Sequence, residues 1–165
     1  MTPLSLLAAQ KLLAKLTLAN ALGQQMATLS AVLTSPAPAI TAEQVFLSSS
    51  PPEMADRNLQ MSYPRVCVYS NSIKNTQIEK FRSFSGQVGL VAEIWASADL
   101  INQADEWIHF YVESVADILQ SNIGDWCDGI FYSGEYEVQF QPPKAGGLGF
   151  VESAKLTFSL NVSLS

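Results

Sequence analysis

Charge is scarce in this chain, and basic charge most of all. Asp, Glu, Lys and Arg make up 15% of the 165 residues, against a usual share of about 25%. From residue 83 to residue 143 there is no Lys or Arg. The same stretch holds Glu93, Asp99, Asp105, Glu106, Glu113, Asp117, Asp125, Asp128, Glu135 and Glu137. A field of that sign repels phosphate, which argues against a gripping contact with nucleic acid. An acidic face can instead solubilise the chain or line a passage along which nucleic acid slides without sticking.

Histidine and cysteine are scarce too. His109 is the one histidine, and Cys67 and Cys127 the two cysteines. Zinc needs more His or Cys ligands than this. Asp125, Cys127 and Asp128 lack the dense oxygens and later Glu of a calcium loop. The expectation is no metal and no cofactor. Both cysteines sit among apolar neighbours and read as buried thiols in a reducing compartment. Long uncharged apolar runs are also missing. Residues 4–22 are rich in Leu and Ala, but Lys11 and Lys15 interrupt them and no basic segment precedes them. That pattern fits neither a membrane span nor a signal peptide.

Catalytic constellations are thin. His109 and Ser114 share one helix without a nucleophile elbow or an oxyanion loop. Glu135 and Glu137, two apart on a strand, face the same way and could serve a small hydrolase. Lys144 precedes Gly146, Gly147 and Gly149, and a strand follows, so no helix N-terminus is offered to a phosphate.

What is present is apolar periodicity. Apolar residues make up 48% of the chain. With so few charges to cover the outside, some of that surface is expected to meet a partner. Residues 3–33 read as one long amphipathic helix, with Leu12, Leu16, Ala19, Leu22, Met26, Leu29 and Leu33 on a stripe. Pro36 and Pro38 end it. Residues 34–60 read as a connector in which this pair and a second one, Pro51 and Pro52, bracket a short apolar run, Val45-Phe46-Leu47, that offers an edge strand. Leu12, Leu16, Leu22, Met26 and Leu29 are therefore candidates for an arm that packs on its own domain or reaches a neighbouring subunit.

Strands are expected at Tyr63–Tyr69 and Arg82–Trp95, the latter with Gly86 and Gly89 marking a bulge or close backbone approach. A helix follows over Asp99–Gln120, capped by Ser97 or Asp99. Two alternating strands close the chain, Ile130–Phe140 and Phe150–Val162. They are joined by a loop containing Pro142, Pro143, Lys144, Gly146, Gly147 and Gly149, read as a tip that docks on a partner. The fold class is α+β: a mostly antiparallel sheet of four to five strands with one helix packed on it, plus a long N-terminal helix. The boundary falls between an arm and connector, residues 1–60, and a core domain, residues 61–165.

The run Arg65-Val66-Cys67-Val68-Tyr69, the strand ending Val91-Ala92-Glu93-Ile94-Trp95, the helix over 99–121 and the hairpin from Gly129 to Val162 resemble the tail terminator proteins of long-tailed bacteriophages. The resemblance is one of element order, not of a signature motif. It implies a structural virion protein and not an enzyme, assembled in the host cytoplasm into a ring, commonly a hexamer. That ring would sit at the head–tail neck between tail tube protein and the head-side connector or adaptor. DNA would pass through its lumen without specific binding, with Glu93, Asp125, Asp128, Glu135 and Glu137 as the candidate acidic lining. Another neck or tail ring, adaptor or tube-like, is the neighbouring expectation, and a hydrolase using Glu135 and Glu137 the one from a different class.

Overall fold

The computed structural model describes residues 2–48, 62–146 and 149–165. The chain begins with α1 (Leu4–Thr17) and α2 (Ala21–Leu29). It continues through β1 (Val45–Phe46), β2 (Arg65–Asn75) and β3 (Phe84–Ala98) to α3 (Ile101–Ser121). It closes with β4 (Gly124–Asp125), β5 (Ile130–Phe140), β6 (Lys144–Gly146) and β7 (Gly149–Leu164). The strands form one sheet in the order β1-β2-β3-β7-β5-β4, with β6 folded against β7. β1 runs parallel to β2, and the remaining pairs are antiparallel. The sheet curls into a half-barrel.

This corrects the expected sheet of four to five strands with one helix on it. Among the described residues the sheet is mixed and has seven strands. β1 is the edge strand that the run Val45-Phe46-Leu47 offers, while β4 and β6 are two and three residues long, too short to show a period of two. The long strands also outrun their alternation. β2 extends from Tyr69 to Asn75 through Ser-Asn-Ser-Ile-Lys-Asn, whose last five residues are exposed. A segment wet on both faces has no reason to alternate.

One face of the sheet is apolar. Val88, Leu90, Ala92, Ile94 and Ala96 of β3 lie beside Ala154, Leu156, Phe158, Leu160 and Val162 of β7, and all are buried. Ile108, Tyr111, Val115 and Leu119 of α3 pack on them in the same core. The wide stripe on α3 follows from spacings of three and four. Its start differs from expectation: β3 runs on through Ala98, Leu100 takes the N-cap position, and no side chain caps it.

The N-terminal helix is not continuous. Ala19 and Asn20 adopt φ of 52° and 54°, in the left-handed region, and break it. The break was hidden because the leucine stripe carries on beyond it. Ala8, Leu12, Leu16, Leu22 and Met26 are all buried in the core that holds the sheet. The stripe therefore packs on its own chain, and Leu29 lies half-buried at its margin. Gly86 and Gly89 sit where expected. A Cβ on Gly86 would fall 1.9 Å from the Lys74 carbonyl oxygen, and Gly89 faces the register shift at Ser70 and Ser72.

Candidate functional site

The start of the connector lies over α3 and is tied to it at three of its residues. Trp107 Nε1 donates to the Ser35 carbonyl at 3.3 Å, and Tyr111 Oη to that of Pro38 at 2.7 Å. Thr34 donates through its backbone N–H (2.6 Å) and its hydroxyl (2.5 Å) to the Glu106 carboxylate. Beneath this strap a groove of about 470 Å³ is lined by Met26, Ala27, Leu33, Pro36 and Phe110 among others. Burial holds the Tyr111 phenol far above its ordinary value.

The Thr34 bonds favour the charged carboxylate and hold Glu106 below its usual value of 4.5. A carboxyl lowered on folding adds stability that is complete above its unfolded value and is lost as pH falls through the folded one. Glu106→Gln should therefore lower the urea midpoint at pH 7, and the gap to the parent chain should close in acid. A gap unchanged between pH 7 and pH 3 would show that Thr34 does not act through the charge.

The five candidate lumen acids do not form one surface. Glu93 is only 5% exposed, on the sheet face away from the helices, and accepts a 2.9 Å hydrogen bond from Tyr69 Oη. Burial, then this bond, pushes the Tyr69 phenol strongly up. The expectation of an exposed Glu93 is thus corrected. Asp125 is exposed and accepts from the Cys127 backbone N–H at 2.8 Å. Asp128 pairs with Lys11 at 2.7 Å, and Lys11 also donates to the Trp126 carbonyl at 2.8 Å. Glu135 and Glu137 are exposed and line an open hollow of about 370 Å³ with Gln87, Ser133 and Thr157.

The catalytic candidates fare as follows. Ser114 is fully buried and its hydroxyl donates to the Phe110 carbonyl at 2.9 Å, so it points into its own helix. His109 stacks on Phe140 at 4.3 Å between ring centroids, with Nε2 3.7 Å from Asp105. It does not reach Ser114 in hydrogen-bonding geometry. Glu135 and Glu137 are both exposed in one open hollow, with the buried Phe158 in its wall. Glu152, by contrast, is raised by burial first and Asp105 second. Among the described residues no three His, Cys, Asp or Glu side chains gather as metal ligands, and no helix is long and apolar enough to cross a membrane.

The expected docking loop is partly a strand. Pro142, Pro143 and Lys144 are exposed. Lys144 to Gly146 form β6, which pairs back on β7 with Gly146 opposite Gly149. Gly147 lies outside the described residues, as do Pro51 and Pro52. A Cβ on Gly149 would fall 2.6 Å from the Ala98 carbonyl oxygen, so this glycine allows β7 to approach the end of β3. Cys67 is buried as expected, but Cys127 is exposed, in a turn with φ of 67°.

Sequence reasoning missed three features. Ile78 and Phe81 stand exposed on the loop between β2 and β3, beside the Arg82–Glu79 ion pair at 3.1 Å. Arg65 Nε and Trp95 Nε1, on residues directly opposite each other across β2 and β3, are buried with no acceptor. The third is the state of the sheet ends. Ile73 (53% exposed), Tyr136 (42%) and Phe140 (45%) leave apolar surface open there. None has a local signal, because each depends on which strands end up outermost. No family model matches this chain, and no curated protein matches it in sequence.

Proposed function

We propose that this chain is a structural ring subunit of the phage tail-terminator kind, capping a tail tube at the neck and joining it to the head-side connector while DNA passes through. The carrying observation is the curled sheet whose two outer edges, among the described residues, are covered only in part. Ile73 at one end and Tyr136 and Phe140 at the other leave apolar surface in water, which a lone globule has reason to bury. The exposed acids Glu135, Glu137 and Asp125 add a surface that repels phosphate. A half-barrel with open ends suits a subunit that gains its full cover from neighbours.

At micromolar concentration the purified chain should run as one closed oligomer by mass measurement, with ring-shaped particles in negative stain. Single rings favour a terminator or adaptor; extended stacks favour a tube-like protein. A monomer at all concentrations, even with tail tube protein present, would falsify the ring reading.

A further inference from the structure

We infer that copies of this chain join head to tail, the outer edge of β5 in one copy pairing with the outer edge of β2 in the next. This rests on the ring reading above and names the contact that builds it.

The first observation is which backbone is left over. β1 covers the outer edge of β2 only at Val66 and Cys67. β4 covers the outer edge of β5 only at Phe131 and Tyr132. Beyond them, among the described residues, 69–75 and 136–140 have a strand partner on one side alone. Neither stretch contains proline. A strand edge of this length with its N–H and C=O groups facing water is a template for another strand.

The second is direction. β2, β3, β7 and β5 alternate, so the two outer strands run opposite to each other. Copies turned the same way about a common axis therefore meet antiparallel at the junction, and the sheet continues in its own pattern. Such a contact joins two different patches and closes only as a ring.

The third is the match of faces. Ile73 lies opposite Val88, Tyr136 opposite Phe158 and Phe140 opposite Ala154, all on the side of the sheet that carries the helices. Pairing would bring Ile73 beside the aromatic residues and extend the apolar face across the junction. Lys74 lies opposite Gln87, and Glu137 opposite Thr157, both on the other side. There the charges are opposite. β5 to β5 would set Glu135 and Glu137 against their own copies, and β2 to β2 would do the same with Lys74. Only the unlike pairing is attractive.

The short strands set the register. Ser70, Leu90, Phe158 and Tyr136 form one row across the sheet. At equal height the next copy's β1 would lie where the lower half of β5 needs its partner. The copies must be staggered along the strand, which is what closure of tilted strands demands.

Hydrogen exchange read by mass spectrometry, on the full chain diluted and assembled, tests this. Peptides over 69–75 and over 136–140 should gain protection together on assembly. Lys74→Glu should weaken association about tenfold, as should the pair Glu135→Lys with Glu137→Lys, and the three combined should restore it. An assembly whose two edges exchange at the monomer rate overturns the edge pairing and leaves the ring reading standing. So does a dimer that protects one edge only, or a triple variant that assembles no better than Lys74→Glu. A chain that never assembles removes the ring reading itself.

Discussion

A chain beginning at residue 34 is expected to be unfolded. Leu12, Leu16, Leu22 and Met26 are each at most 4% exposed, in the same core as the sheet. Together their burial is worth about 10 kcal/mol, as much as the whole net stability of a typical domain, about 5–15 kcal/mol. Removing them also opens the apolar face formed by Val66, Val68 and Ile94. Polar ties go with them: Lys11 to Asp128 and to the Trp126 carbonyl, and Gln25 Nε2 to Asp117 at 2.9 Å. Circular dichroism and proton NMR should show lost strand signal and collapsed dispersion. The milder Leu12→Ala should stay folded but lose about 3 kcal/mol, because the cavity adds to the lost transfer energy. If residues 34–165 instead unfold cooperatively on their own, the arm is a detachable unit, and the boundary read from the sequence between 60 and 61 is physical.

That boundary looked natural because prolines and a polar run separate the arm from the strands. Composition reports where a chain is exposed, not where its ends dock. The amphipathic stripe was legible; what it faced was not, since one stripe suits a parent sheet and a neighbouring subunit equally well. The same limit explains Glu93. Its sequence neighbours gave it the parity of a strand residue facing away from the helices, and that parity holds. Its hydrogen-bond partner, Tyr69, comes from the adjoining strand, which no local pattern announces.

Where a signal is long, the reading and the structure agree closely. α3 spans 21 residues with a broad stripe, and β3 and β7 pair with each other along their whole shared length, β7 alternating toward its end. Where it is short or wet, they part: β4 has two residues, and the exposed end of β2 has no alternation. The exposed positions of Glu135 and Glu137 on a strand were legible as such. Their place at the open end of a sheet was not, because outermost strands are defined by β7 pairing in the middle, between β3 and β5. The surfaces that matter to the proposed assembly are thus consequences of topology, and the sequence carries them only through the charges and apolar residues placed there.

Gly129→Ala should cost about 3 kcal/mol and lower Tm by about 10 °C. Gly129 follows Cys127 and Asp128, and all three hold positive φ, 67°, 56° and 73°. An alanine there carries left-handed strain of about 1 kcal/mol. Its Cβ would also fall 2.1 Å from the Ser163 carbonyl oxygen. That oxygen belongs to β7, and relief requires the end of β7 to move. The movement would break the 2.9 Å bond from the Ser163 N–H to the Gly129 carbonyl and strain the neighbouring bonds Trp126 N–H to Ile130 and Ile130 N–H to Cys127. Gly124→Ala is the control. Its φ of 122° is strained, yet nothing lies within 4 Å of the added Cβ. Thermal unfolding of the two variants separates backbone strain from steric displacement. A Gly129→Ala variant no less stable than Gly124→Ala would mean that β7 ends freely at Ser163. Since Lys11 reaches this turn through Trp126 and Asp128, the same result would loosen the arm's hold on the sheet.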